Sequence, residues 1–186
     1  MNSGLKEHLR KSLNVGIRSD GRKNLDFRDI TIETGVSKTA EGSARVKFGE
    51  TEVIVGIKMM MDKPFSDRPD EGILMVGCEL LAMASPNFES GPPSPWAIEI
   101  ARVTDRGIRE SHAIDSKKLC VVPGEKVWLV TIDVCAINDD GNLMDAASIG
   151  AMAALRDAKM PKLEDGVVNY KEKTDESLPL LKLPIS

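Results

Sequence analysis

Aromatic residues are scarce in this chain, with two Trp, one Tyr and four Phe among 186 residues. The core must therefore be aliphatic, with nine methionines available to fill irregular gaps. Cysteine is also rare: Cys78, Cys120 and Cys135 are odd in number, widely spaced and never in a CxxC pair. That pattern excludes a disulfide framework and predicts buried, reduced thiols in strand-like apolar runs. Histidine is limited to His8 and His112, with no HExxH motif or Cys/His cluster, so no metal site is expected. No apolar run approaches membrane-spanning length, and the N-terminal MNSGLKEHLRKSLNVG has no signal-peptide apolar core. The expectation is a cytoplasmic chain without a membrane partner. A Walker loop, a GxGxxG turn, a GxSxG elbow and a calcium loop are all missing. Ser111-His112 lacks the oriented acid that a nucleophilic triad requires. Positive charge is not in excess either, since the formal net charge is −4. Nucleic acid would not be wrapped wholesale, and any RNA contact must use a local basic patch.

What is present suits one domain over residues 1–186, 41% apolar and 29% charged. Residues 5–13 predict a short helix, with Leu5, Leu9 and Leu13 four apart. Residues 29–35, 43–50 and 51–61 alternate and are β-branched, with turns at Glu41-Gly42 and Gly49-Glu50, which predicts an antiparallel meander. The almost wholly apolar run 73–84 reads as a central strand buried on both faces, with a helix as its competitor. A helix over 96–112 follows a Pro-rich loop, and Leu119–Val122 and Lys126–Asn138 form a hairpin through Pro123-Gly124. Asp139-Asp140-Gly141-Asn142 reads as a turn rather than a metal-binding pair. Residues 143–158 are Ala-rich and helical, suited to close packing on a sheet. Residues 164–173 begin an edge strand or hairpin, and the tail SLPLLKLPIS begins one more strand. Hairpins with helices arriving singly make the fold α+β.

The chemistry concentrates in FESGPPSPWAIEIARVTDRGIRES, residues 88–111. At about 100° per residue, Arg102, Arg106 and Arg109 fall within roughly 60° of one another. A row of guanidinium groups after a Pro-fixed loop suits phosphate or RNA backbone. The same spacings place Glu99 three before Arg102, Asp105 four before Arg109 and Glu110 four after Arg106. Intrahelical ion pairs on a solvated face are thus an equally available reading of the residues. Arg18 and Arg22 offer a second basic spot, but Asp20 and Asp26 favour a loop tied to itself.

Four segments in order carry a family resemblance: GIRSDGRKNLDFR, AEGSARVKFGETEVIVGIK, FESGPPSPWAIEIARVTDRGIRES and DDGNLMDAASIGAMAAL. Together they resemble the RNase PH family, and within it the non-catalytic RNase-PH-like subunit of the archaeal exosome. The resemblance implies an RNase PH-like fold related to domain 2 of ribosomal protein S5, with the family's C-terminal unit beyond Ser186 absent from this chain. It implies a six-membered ring in which catalytic and silent subunits alternate, topped by RNA-binding caps. Such a ring degrades single-stranded RNA from its 3′ end with inorganic phosphate as co-substrate of the catalytic partner.

Two departures from the catalytic pattern identify the silent type. Catalytic members carry Gly-Ser-Arg where this chain has Gly141, Asn142 and Leu143, so the attacking phosphate would lose its cation. They carry two arginines where this chain has Pro95 and Trp96. The resemblance assigns RNA contact to Arg102 and Arg106, with Arg109 as a helper on the same face, and assigns no catalytic residue and no metal to this chain. A stand-alone RNase PH-type phosphorolytic enzyme and an S5-like interaction module are the rival readings.

Overall fold

The computed structural model describes residues 3–164 and 167–183. Helix α1 (Ser3–Asn14) is followed by strands β1 (Ile30–Thr34), β2 (Gly42–Phe48), β3 (Thr51–Asp62) and β4 (Ile73–Leu80). Helix α2 (Pro95–Glu110), a 3-10 turn (Ser116–Leu119), β5 (Cys120–Val122), β6 (Lys126–Asn138) and α3 (Leu143–Asp157) come next. A hairpin of β7 (Lys159–Glu164) and β8 (Val167–Ser177) completes the described elements. The main sheet runs β1-β2-β3-β6-β4, with β5 paired to β6. This is the expected α+β architecture, with the three-strand meander and the Pro123-Gly124 hairpin where the sequence places them.

Alternation builds the core. In the β2–β3 register, Val46 faces Val53 and Ala44 faces Val55, so one sheet face is a fully buried aliphatic surface. Helix α3 lies on it with the small residues Ala146, Ala147, Gly150, Ala151 and Ala154. Small side chains are needed because the backbones are close: a Cβ on Gly150 would sit 2.7 Å from Val55 Cγ2. Each fully buried side chain such as Ile57, Ile132 or Leu155 contributes about 1.5–3 kcal/mol.

Several expectations are corrected. The run 73–84 is not a central strand but an edge strand that ends at Leu80. Its apolar residues serve two surfaces: Val76, Cys78 and Leu80 pack into the core, while Met75 is 55% exposed on the open side. Strand β4 pairs with β6 in parallel, so α2 is the crossover of one βαβ unit within an otherwise antiparallel sheet. Glu41, in the bend before β2, is a buried charge that the sequence did not reveal. It is 2% exposed, accepts from Lys58 Nζ at 2.8 Å and from the Met59 amide at 2.9 Å. Cys78 is buried as expected, but Cys120 and Cys135 are only partly so. Burial, with Cys135 and Glu79 nearby, pushes the Cys78 thiol up to about 12. The C-terminal tail forms no strand up to Leu183; it makes a single bridge, Ile114 to Leu180, and residues 184–186 lie outside the described residues. Residues 165–166, which fall within the stretch 164–173 expected as an edge strand or hairpin, also lie outside them. Among the described residues no helix is long and apolar enough to cross a membrane.

Candidate nucleic-acid interface

Helix α2 begins where the sequence sets a start signal. Ser94 Oγ accepts from the Ala97 amide at 3.2 Å, and Pro95 at the first helical position has no amide to leave unpaired. Ala97, Ile100, Thr104 and Ile108, spaced three and four apart, turn inward. Arg102, Arg106 and Arg109 are left exposed on α2.

The three arginines are not equivalent. Arg102 forms a two-pronged pair with Glu99, Nε to Oε2 at 2.9 Å and Nη2 to Oε1 at 2.7 Å. Those hydrogen bonds hold the Glu99 carboxyl below its usual range and raise the guanidinium of Arg102. Arg109 grips Asp105 in the same way, at 3.0 and 2.7 Å, and its Nη2 also donates to the Leu74 carbonyl on β4 at 3.1 Å. Arg106 makes no hydrogen bond or ion pair with any described residue. Orientation along the helix explains the difference. Acid before base complements the helix dipole, as in Glu99–Arg102 and Asp105–Arg109, whereas Arg106 precedes Glu110.

Beside Arg102 a cleft of about 380 Å³ opens between α2 and β4, lined in part by Val76, Cys78, Pro93, Ile98 and Asp105. It shares Cys78, Pro93 and Ala97 with a second hollow of about 670 Å³ formed by the Pro-rich loop. Trp96 is 45% exposed at the entrance to α2. Arg102, the edge strand and the proline loop thus line adjoining hollows.

The entrance to α3 is built differently. Gly141 and Asn142 both adopt positive φ, +82° and +64°, and the Asn142 side chain makes no cap. Its Nδ2 donates instead to Asp145 Oδ2 at 2.8 Å, which places a carboxylate in the first turn of the helix. Leu143 is 3% exposed and belongs to the core. Arg28 approaches from the N-terminal segment. Its Nη1 donates to the carbonyls of Asp140 (2.9 Å), Phe48 (3.3 Å) and Gly141 (3.3 Å) and to Thr51 Oγ1 (3.3 Å), and its guanidinium lies 5.2 Å from the Phe48 ring centre. Thr51 Oγ1 donates to the Gly141 carbonyl at 2.7 Å and accepts from the Asp140 amide at 3.0 Å. Asp139 and Asp140 serve this turn: Asp139 Oδ1 accepts from the Gly141 amide at 2.9 Å. Among the described residues no three His, Cys, Asp or Glu side chains gather as metal ligands. Arg22 is tied to Asp20 through Nε at 2.8 Å and to the Asp26 carbonyl at 2.6 Å, the self-bound loop its neighbours suggest. Sequence reading did not find Arg28 or Thr51, whose partners at Asp140 and Gly141 lie about 90 to 113 positions away.

The likeness to known proteins is extensive. Residues 26–161 match the model of the 3′ exoribonuclease family, domain 1, known as RNase_PH. The exosome complex component Rrp42 of Methanocella arvoryzae is 52% identical over 180 residues, covering 97% of this chain and 67% of that protein. That of Thermococcus onnurineus is 50% identical over 189 residues, covering 100% of this chain and 69% of that protein. Among solved structures, the Archaeoglobus fulgidus exosome with RNA bound to the active site superposes with a TM-score of 0.86 at 44% identity, over 96% of this chain and 68% of that one. An archaeal exosome core gives 0.81 at 42% identity, over 96% and 66%. The chain spans about two thirds of the length of these relatives. With the meander, the arginine helix and the small-residue helix all in the matched region, the chain belongs to the RNase PH, or 3′ exoribonuclease, family.

Proposed function

We propose that this chain is a non-catalytic subunit of an archaeal-type exosome ring. It binds single-stranded RNA through Arg102 and Arg106 and orders the active site of a catalytic RNase-PH-like partner, with which it alternates in a hexamer under RNA-binding caps. The partner uses inorganic phosphate to remove nucleotides from the RNA 3′ end, and the assembly works in the cytoplasm. The names and structures of the relatives support the exosome role, because they are exosome components and exosome particles.

The observation that carries the silent reading is the entrance to α3. A helix N-terminus attracts anions through its free amides and dipole. Here that position already holds the chain's own carboxylate, Asp145, and the neighbouring Leu143 is buried rather than extended as a cation. Arg28 lies nearby, but carbonyl oxygens surround its Nη1. On α2 the charges are reversed: cations face solvent beside an open cleft.

The test is phosphate-dependent release of nucleoside diphosphate from oligoadenylate, by the purified chain alone and then mixed with the catalytic subunit from the same source. The chain alone is expected to release none, and the mixture to be active. Replacing Arg102 and Arg106 together by Glu should slow the mixture about tenfold, equivalent to two weakened charge-assisted contacts. Robust release by the chain alone would show it to be a stand-alone phosphorolytic enzyme, and unchanged rates in the double variant would remove α2 from the RNA path.

A further inference from the structure

We propose that Glu99 sets the strength of the RNA contact, by acting as an internal counter-ion that a phosphate group must displace from Arg102. This inference rests on the RNA-binding reading of α2 and assigns different duties to its three arginines. Arg106 is the standing contact, Arg102 is a contact held in reserve, and Arg109 is a structural tie.

The geometry separates the three. A carboxylate and a phosphate each present two oxygens to the same fork of guanidinium N–H groups, so Glu99 and RNA compete for Arg102 Nε and Nη2. The Arg102 and Glu99 side chains are 56% and 38% exposed. Pairs this open to water are weakly held, which makes the exchange of one anion for another feasible. Glu99 also leaves a negative charge one turn from the phosphate even where Arg102 keeps both partners. Arg109 differs because it is bound on two sides, by Asp105, which is 25% exposed, and by the Leu74 carbonyl. Its release would break the ion pair and the tie to β4 together, so it competes poorly for RNA. Arg106 has no described counter-ion to lose.

The test measures binding of fluorescein-labelled single-stranded oligoadenylate to the full chain by fluorescence anisotropy, between 50 and 200 mM salt. Glu99→Gln is expected to tighten binding about three- to tenfold. The salt dependence, log K against log salt, should steepen by about 0.7 as one more phosphate is neutralised. Arg102→Ala placed in the Glu99→Gln background should remove both effects. Asp105→Asn should leave affinity within about twofold, because Arg109 stays on the Leu74 carbonyl. A change of slope is the decisive readout, because a merely structural role for Glu99 would not move it.

Unchanged affinity and slope in Glu99→Gln, with binding still lost in Arg106→Glu, would overturn the role of Glu99 and leave the RNA-binding reading standing. An equal gain in Asp105→Asn would reduce the effect to general charge and overturn the division of duties. If neither the wild-type chain nor Glu99→Gln binds the oligonucleotide at millimolar protein, or if Arg106→Glu has no effect on binding, the RNA-binding reading of α2 fails together with the inference.

Discussion

Helices α2 and α3 enter the fold by opposite routes. At α2 a serine side chain caps the first turn, a proline begins it, and the charged face points to solvent beside a cleft. At α3 two residues with positive φ turn the chain sharply, a distant arginine holds the turn's carbonyls, and the first residue is buried in the core. One helix presents cations, and the other begins with a side chain buried in the core and a carboxylate in its first turn. Under the proposed function, this contrast separates a helix that contacts RNA from a helix start that holds no attacking phosphate. At the α3 entrance Leu143 is packed into the core and Arg28 is bound to the turn's carbonyls, while Gly141, Asn142 and Asp145 stay exposed, the last two lining a hollow of about 250 Å³. If the loss were only a missing charge, restoring that charge would restore the site.

The largest effect should come from that restoration. Leu143→Arg puts the missing guanidinium back in sequence, but the position is 3% exposed. A buried, unpaired cation costs about 3–5 kcal/mol, and some of that would be relieved by local rearrangement. A loss of roughly 3 kcal/mol in urea denaturation is expected from the same source, with no phosphate binding at millimolar concentration by calorimetry. Tight phosphate binding by this variant would break the comparison, because the entrance would then be an intact anion site short of one charge.

Much of this contrast was readable before the structure, and the unreadable part has a physical cause. The meander, the β5–β6 hairpin and both long helices announce themselves by local signals: alternation in 43–61, Pro123-Gly124, and Ser94-Pro95 ahead of the apolar spacing of α2. The pairs Glu99–Arg102 and Asp105–Arg109 also follow from spacing alone. Arg106–Glu110 has suitable spacing but no such bond, because its order along the helix opposes the dipole. The edge position of β4 was hidden, since an apolar run looks the same whether it is buried on two faces or packs on one and exposes a methionine on the other. Arg28 was hidden for a different reason. Its partners at Phe48, Thr51, Asp140 and Gly141 meet only after β2, β3 and β6 have aligned. The Leu143 substitution was visible as a letter, whereas the packing that makes it hard to reverse was not.

A second, smaller effect sharpens the same contrast. Arg28→Ala removes the donor that gathers three backbone carbonyls and the Thr51 hydroxyl at the α3 entrance. Hydrogen bonds from a charged group to partly buried acceptors contribute about 1.5–3 kcal/mol, so a loss of about 2 kcal/mol is expected by the same measure. Amide hydrogen exchange at Asp140 and Gly141 should accelerate along with it. Exchange on α2 should accelerate no more than the global loss of stability requires. If both helices loosened equally beyond that level, Arg28 would be a general brace rather than the lock on one entrance.

The smallest effects compare the two helix starts directly. Ser94→Ala removes the oxygen that accepts from the Ala97 amide, and the loss of such a cap costs about 1 kcal/mol. Asn142→Gly is expected, on backbone grounds, to gain a few tenths of a kcal/mol, because glycine adopts positive φ without a Cβ penalty. Against that gain stands the lost Asn142–Asp145 hydrogen bond, which is solvent-exposed and therefore weak. Thermal denaturation of the two variants side by side gives the sign of each. A drop in Asn142→Gly as large as that in Ser94→Ala would mean that the asparagine side chain, not the turn geometry, holds the second entrance. In that case the two helices would begin by more similar means than their backbones indicate.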